Sequence, residues 1–143
     1  MQMVKTALER YPRSRLLMAS GIVATIMICV FMLEKIFLPQ SETGLSIPPL
    51  VDGVFFLGIG LSLSVAMAQY SYRAWSLDSR DFMEWYFCQS GGSANWLRKW
   101  YSHFPEGYLR FLYRFMGPFG FLAGMAMAGI GFMISVAPLF VAG

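Results

Sequence analysis

Three long apolar runs limit what this chain can fold into. The first extends from Leu16 to Leu38 and is interrupted only near its end, by Glu34 and Lys35. The second continues from Leu50 to about Ala68, and the third from about Pro118 to Val136. A hydrocarbon core about 30 Å thick is crossed by about 20 helical residues, so each run is long enough to span a bilayer. Of the 143 residues, 57% are hydrophobic and only 13% charged, against about 25% charged in an average soluble domain. The expected fold is therefore an all-α integral membrane protein with three transmembrane helices, at about 16–38, 49–69 and 117–138. A cytoplasmic loop at about 70–115 joins the second span to the third.

Local signals define the ends. Pro39 stops the first helix, and "QSETGLSIPP" reads as a short polar connection rich in turn formers. Pro49 suits the first turn of the second helix, where a missing N–H costs nothing, and Asp52 in that turn faces the positive end of the helix dipole. Pro138 closes the third span. Lys5, Arg10, Arg13 and Arg15 ahead of the first run also resemble the start of a secretory signal, but the run is too long and no Ala-x-Ala site follows, so it reads as an uncleaved span.

Charge sets the expected orientation. Of 11 lysines and arginines, only Lys35 falls near the far end of a span. The rest precede the first run or lie between the second and third, at Arg73, Arg80, Arg98, Lys99, Arg110 and Arg114. The positive-inside rule places the N-terminus and the long loop in the cytoplasm, here of a bacterial inner membrane, with the C-terminus on the opposite side. The net charge of +3 does not point to nucleic acid, because the cations flank apolar runs instead of forming a solvated face.

The long loop is unusual in its own right. In "NWLRKWYSHFPEGYLRFLYRF", a helix capped by Ser93 places Trp96, Leu97, Trp100, Tyr101 and Phe104 on one face, with Arg98, Lys99 and His103 on the other. Pro105 ends it, and a second short helix puts Tyr108, Phe111, Leu112 and Phe115 opposite Arg110 and Arg114. Glu106 precedes Arg110 by four residues, the favourable order for a helical ion pair. Aromatic rings settle at headgroup depth while arginine and lysine reach phosphates. With "CQSGGS" as the turn after "SLDSRDFMEWYF", the loop is expected to be an amphipathic, interfacial helical hairpin. Trp96, Arg98, Lys99, Trp100, Phe104, Arg110 and Arg114 are the expected contacts to lipid or to a partner subunit.

No catalytic constellation appears. The middle of every span lacks ionisable groups, and Glu34 and Lys35 are expected to snorkel at the outer interface. His103, the single histidine, rules out a bis-histidine haem or a two-histidine metal site within one chain. Cys29 and Cys88 are separated by a span, which argues against a bridge. No cofactor or metal is expected. Small residues do recur: Gly120, Gly124 and Ala128 in the third span, and Gly58, Ser62 and Ala66 beside Gly60, Ser64 and Ala68 in the second. Such rows let helix backbones approach closely in lipid. The expected role is a non-catalytic accessory or scaffolding subunit of a larger inner-membrane complex, with membrane lipids and other integral subunits as partners. The alternatives are a homo-oligomeric channel or small transporter and, third, a pigment- or cofactor-binding subunit.

Overall fold

A computed structural model of the chain describes residues 14–37, 49–90, 94–105 and 107–141. The described residues form five helices and no strand: α1 (Arg15–Phe37), α2 (Pro49–Ser76), α3 (Ser79–Ser90), α4 (Ala94–Tyr101) and α5 (Tyr108–Val141). Three of these, α1, α2 and α5, are long and apolar enough to cross a membrane. The N-terminal cations Lys5, Arg10 and Arg13, the 39–48 connection, Ser93 and Glu106 lie outside the described residues, as does the side chain of Lys35.

The pairing of α2 with α5 organises the fold. Glycines recur every seven residues on both helices, as Gly53 and Gly60 on α2 and Gly117, Gly124 and Gly131 on α5. A Cβ added at Gly60 would lie 2.6 Å from the Gly124 carbonyl oxygen, and one at Gly124 would lie 2.7 Å from that of Gly60. At the ends of the same seam, a Cβ at Gly53 would lie 2.7 Å from the Gly131 carbonyl and one at Gly117 2.6 Å from Ser71 Cβ. These distances are too short for any side chain, so the two backbones are in direct contact along several turns. Ser64 Oγ adds an interhelical hydrogen bond to the Phe121 carbonyl at 3.1 Å. Low-numbered residues of α2 meet high-numbered residues of α5, so the helices are antiparallel.

The row Gly120, Gly124 and Ala128 expected from sequence faces α2 along this seam, which also repeats every seven residues. Helices that wrap gently around one another bring the same seam position back every seven residues, and the glycine pattern follows that period. Gly124 and Ala128 lie against Gly60, and Gly120 packs on the Met67 side chain of the same helix α2. The second row turns the other way: Gly58 receives Met27 of α1. Phe31 of α1 stacks on Phe55 of α2 with ring centroids 4.3 Å apart, and Ser14 Oγ donates to Gln69 Oε1 at 2.6 Å. The helix α1 is therefore antiparallel to α2, and most of its apolar surface remains exposed. All-round apolarity of this kind suits a helix surrounded by lipid.

Two boundaries also differ from expectation. The helix α2 continues past Ala68 to Ser76, and the short helix expected at Tyr108–Phe115 is the start of α5, which runs unbroken through Pro118 and Pro138 to Val141. Proline removes one hydrogen bond within a helix, but neighbouring helices compensate for such losses in membrane proteins. Here Gly117, next to Pro118, is clamped against Ser71. At 34 residues and 1.5 Å per residue, α5 is about 51 Å long, well beyond the hydrocarbon thickness. Its first turns therefore extend, with the last turns of α2, into a cap formed by α3 and α4.

Substituting Gly124→Leu is expected to destabilise the α2–α5 pair by about 1–3 kcal/mol or more through overpacking. Leu122 is 62% exposed, so Leu122→Ala should leave stability almost unchanged. Denaturation of each variant in detergent micelles measures the difference, and equal loss in both would contradict the seam.

Candidate functional site

The cap has its own core. On α3, Phe82, Trp85, Tyr86 and Gln89 follow the three- and four-residue spacing of a single helix face. Phe82 and Trp85 are buried with Ala74 of α2 and Leu109 of α5. Tyr70 of α2 and Tyr113 of α5 stack with centroids 5.0 Å apart. Tyr86 lies 5.7 Å from Tyr113 and 6.1 Å from Tyr101 of α4. Asp78 starts α3, its carbonyl accepting the Phe82 N–H at 2.7 Å, and Asp81 complements the dipole in the first turn. Gly107, at φ +88°, reverses the chain between α4 and α5 in a conformation that favours glycine.

Arginines join the cap to the spans. Arg110 Nε donates to the Ala74 carbonyl at 3.0 Å, and Arg114 Nε donates to the same oxygen at 2.9 Å. The last carbonyls of a helix have no partner within it and carry its negative end, so two cations one turn apart on α5 satisfy the end of α2. Arg114 also lies over the Trp75 ring at 4.8 Å and Arg73 over Trp85 at 5.8 Å. The sequence placed Arg110 and Arg114 on an outward polar face; the structure turns the Nε of both toward α2. Arg98 lies over Phe87 at 5.2 Å. Lys99 is exposed, and its carbonyl lies 3.1 Å from His103 Nδ1. The structure thus brings Arg15, Arg73, Arg80, Arg98, Lys99, Arg110 and Arg114 to one end of the three long helices, whereas Lys35 lies near the other end of α1.

What the cap leaves uncovered is a row of rings. Trp96 and Trp100 are 66% and 50% exposed. Their rings are nearly parallel, with centroids 6.4 Å apart. Trp100 meets Phe104 at 5.2 Å, and Phe104 stacks on Tyr108 at 4.9 Å. Phe111 and Phe115, 4.6 Å apart and exposed, extend the row along α5 toward exposed Phe119 and Leu122. The row is therefore continuous with the apolar outer surface of a long helix. Leu97 and Tyr101, expected on the same face, turn partly inward, and Tyr101 joins the partly buried Tyr70, Tyr86 and Tyr113.

The remaining residues singled out in the sequence are placed elsewhere. Ser62 and Ala66 face a groove between α1 and α2. Glu34 does not snorkel: it is 8% exposed, and neither carboxylate oxygen has a hydrogen-bond partner among the described residues. Among the described residues no group of three or more histidine, cysteine or acidic side chains is arranged to hold a metal ion.

Burial first, and then the neighbouring Tyr86, pushes the Tyr101 phenol from 10.0 up to about 12. The neutral phenol's contribution to stability is fully present below about pH 10 and is lost as pH rises through about 12. Ultraviolet titration should show the difference in phenolate absorbance between the native protein and Tyr101→Phe developing near pH 12; a difference centred near pH 10 would contradict the packing of α4 on α3.

Comparison with protein-family models, with curated proteins and with solved structures finds no match for this chain.

Proposed function

We propose that the chain is a three-span membrane protein of the bacterial inner membrane that acts as a non-catalytic accessory or scaffolding subunit of a larger complex. The exposed row Trp96–Trp100–Phe104–Tyr108 carries this reading. A chain that buries Phe82 and Trp85 in the same cap has the means to cover large rings, yet it leaves four in register outside. Tryptophan and tyrosine give large, rigid contact areas at interfaces between proteins and at membrane surfaces. The loosely covered α1 offers a second surface for neighbouring subunits, where close packing supplies the association energy in lipid.

The clustering of cations at one end supports a cytoplasmic location for the cap, the N-terminus and the α2–α5 loop, with the C-terminus outside. In a background lacking Cys29 and Cys88, a membrane-impermeant maleimide should label Ser41→Cys in sealed cells but label Ser102→Cys only after permeabilisation. The reverse pattern would overturn the orientation.

The docking role has its own test. Trp96→Ala combined with Trp100→Ala should leave membrane insertion and helix content intact while removing a stoichiometric partner that co-purifies in mild detergent. Recovery of that partner at native yield would reduce the row to a lipid-facing belt, and purification of the native chain as a lone self-associating species would favour a homo-oligomer.

A further inference from the structure

The groove between α1 and α2 is a cavity of about 460 Å³, and none of the described residues that line it is charged. It exists because small residues oppose one another across it, with Ser20, Gly21 and Ala24 on α1 facing Ser62 and Ala66 on α2. A Cβ built at Gly21 would meet nothing within 4 Å. The groove runs along α1 from Leu17, beside Tyr70, to Ile28, beside Ile59. At 1.5 Å per residue this is about 17 Å, close to half of the roughly 30 Å hydrocarbon core and so to one leaflet.

Its two ends differ. The deep end is lined by Ile28, Ile59 and Leu63, with Ser62 its one polar side chain among the described residues. The other lies at the cap, where Gln89 of α3 lines the groove. Gln89 Oε1 accepts the Ser14 N–H at 2.9 Å, and its Nε2 is buried with no acceptor among the described residues. A buried amide donor without a partner is unfavourable, and an acceptor brought by a ligand would satisfy it. Two exposed cations flank this end. Arg15 precedes groove-lining Met18 by three residues on α1, and Arg73 follows groove-lining Tyr70 by three on α2, spacings that share a helix face. Arg73 lies over Trp85, one turn from Gln89 on α3.

We propose that this groove binds one acyl chain of an anionic glycerophospholipid from the leaflet at the cap. The chain fills the apolar slot, the ester carbonyl accepts from Gln89 Nε2, and the phosphate lies between Arg15 and Arg73. The occupied slot joins α1 to α2 where side chains alone leave a gap. The inference rests on the membrane location proposed above and is independent of the docking role.

The test uses the full chain, purified from membranes in mild detergent, delipidated and titrated with phosphatidylglycerol or phosphatidylcholine of identical chains, with bound lipid counted by native mass spectrometry. The native protein should hold one phosphatidylglycerol molecule in preference to phosphatidylcholine. Ala24→Phe and Ala66→Phe, which fill the slot from opposite walls, should each weaken that binding at least tenfold, whereas Leu122→Phe on the outer face of α5 should not. Arg15→Gln with Arg73→Gln should lower phosphatidylglycerol binding to the phosphatidylcholine level. Equal affinity of the native protein for both lipids would overturn the phosphate assignment. Native-like binding in either phenylalanine variant that keeps its helix content would overturn the slot. Recovery of the native chain in the soluble fraction would instead overturn the membrane location, and this inference with it.

Discussion

Direct backbone contact between α2 and α5 is the constraint on which the rest of the molecule depends. In lipid, apolar side chains gain nothing by leaving the hydrocarbon for one another, so helices associate through close van der Waals approach and weak interhelical bonds. Glycines at seven-residue intervals permit that approach, and Ser64 supplies a hydrogen bond across it. Because the seam fixes the register of α2 against α5, it also fixes where their ends emerge. Ala74 is thereby held opposite Arg110 and Arg114, which satisfy its carbonyl. The cap is built on that junction: α3 lays Phe82 and Trp85 over it, and α4 follows through the Tyr86–Tyr101 contact.

A division of aromatic labour follows from this arrangement. Rings on α3 are consumed by the cap core, which anchors the ends of the long helices as a soluble core would. Tyr101 and Tyr113 join that core, whereas Trp96, Trp100, Phe104, Tyr108, Phe111 and Phe115 stay outside, merging with the outer surface of α5. The stacking itself restricts ring motion, so a surface made this way loses less side-chain freedom on contact than isolated tryptophans would. That preorganisation is the physical basis for the docking role proposed for the row.

Much of the architecture was legible in the sequence, for particular reasons. Long apolar runs report spans because length and hydropathy alone decide whether a helix can cross a bilayer, and the turn signals of "CQSGGS" separated α3 from α4. Less legible was anything decided by tertiary packing. Pro118 reads locally as a helix start, yet α5 passes through it, with the neighbouring Gly117 packed against Ser71 of α2. In "SLDSRDFMEWYF" the three- and four-residue spacing of Phe82, Trp85, Tyr86 and Gln89 was the available signal for a buried face, but what that face packs on is decided by the ends of α2 and α5. Arg110 and Arg114 resemble headgroup ligands in one dimension; only the end of α2 beside them shows where their Nε atoms are directed. The heptad of Gly117, Gly124 and Gly131 was also present in the sequence, but the shorter four-residue spacing of Gly120, Gly124 and Ala128 masked it.

The seam can be observed without substituting any residue. Magic-angle-spinning NMR of the protein in lipid bilayers, with glycine labelled in carbon-13, should give interhelical cross-peaks between Gly60 and Gly124 and between Gly53 and Gly131. Both should persist when labelled protein is diluted into unlabelled protein, as contacts within one chain must. Absence of these cross-peaks, or their loss on dilution, would contradict the account.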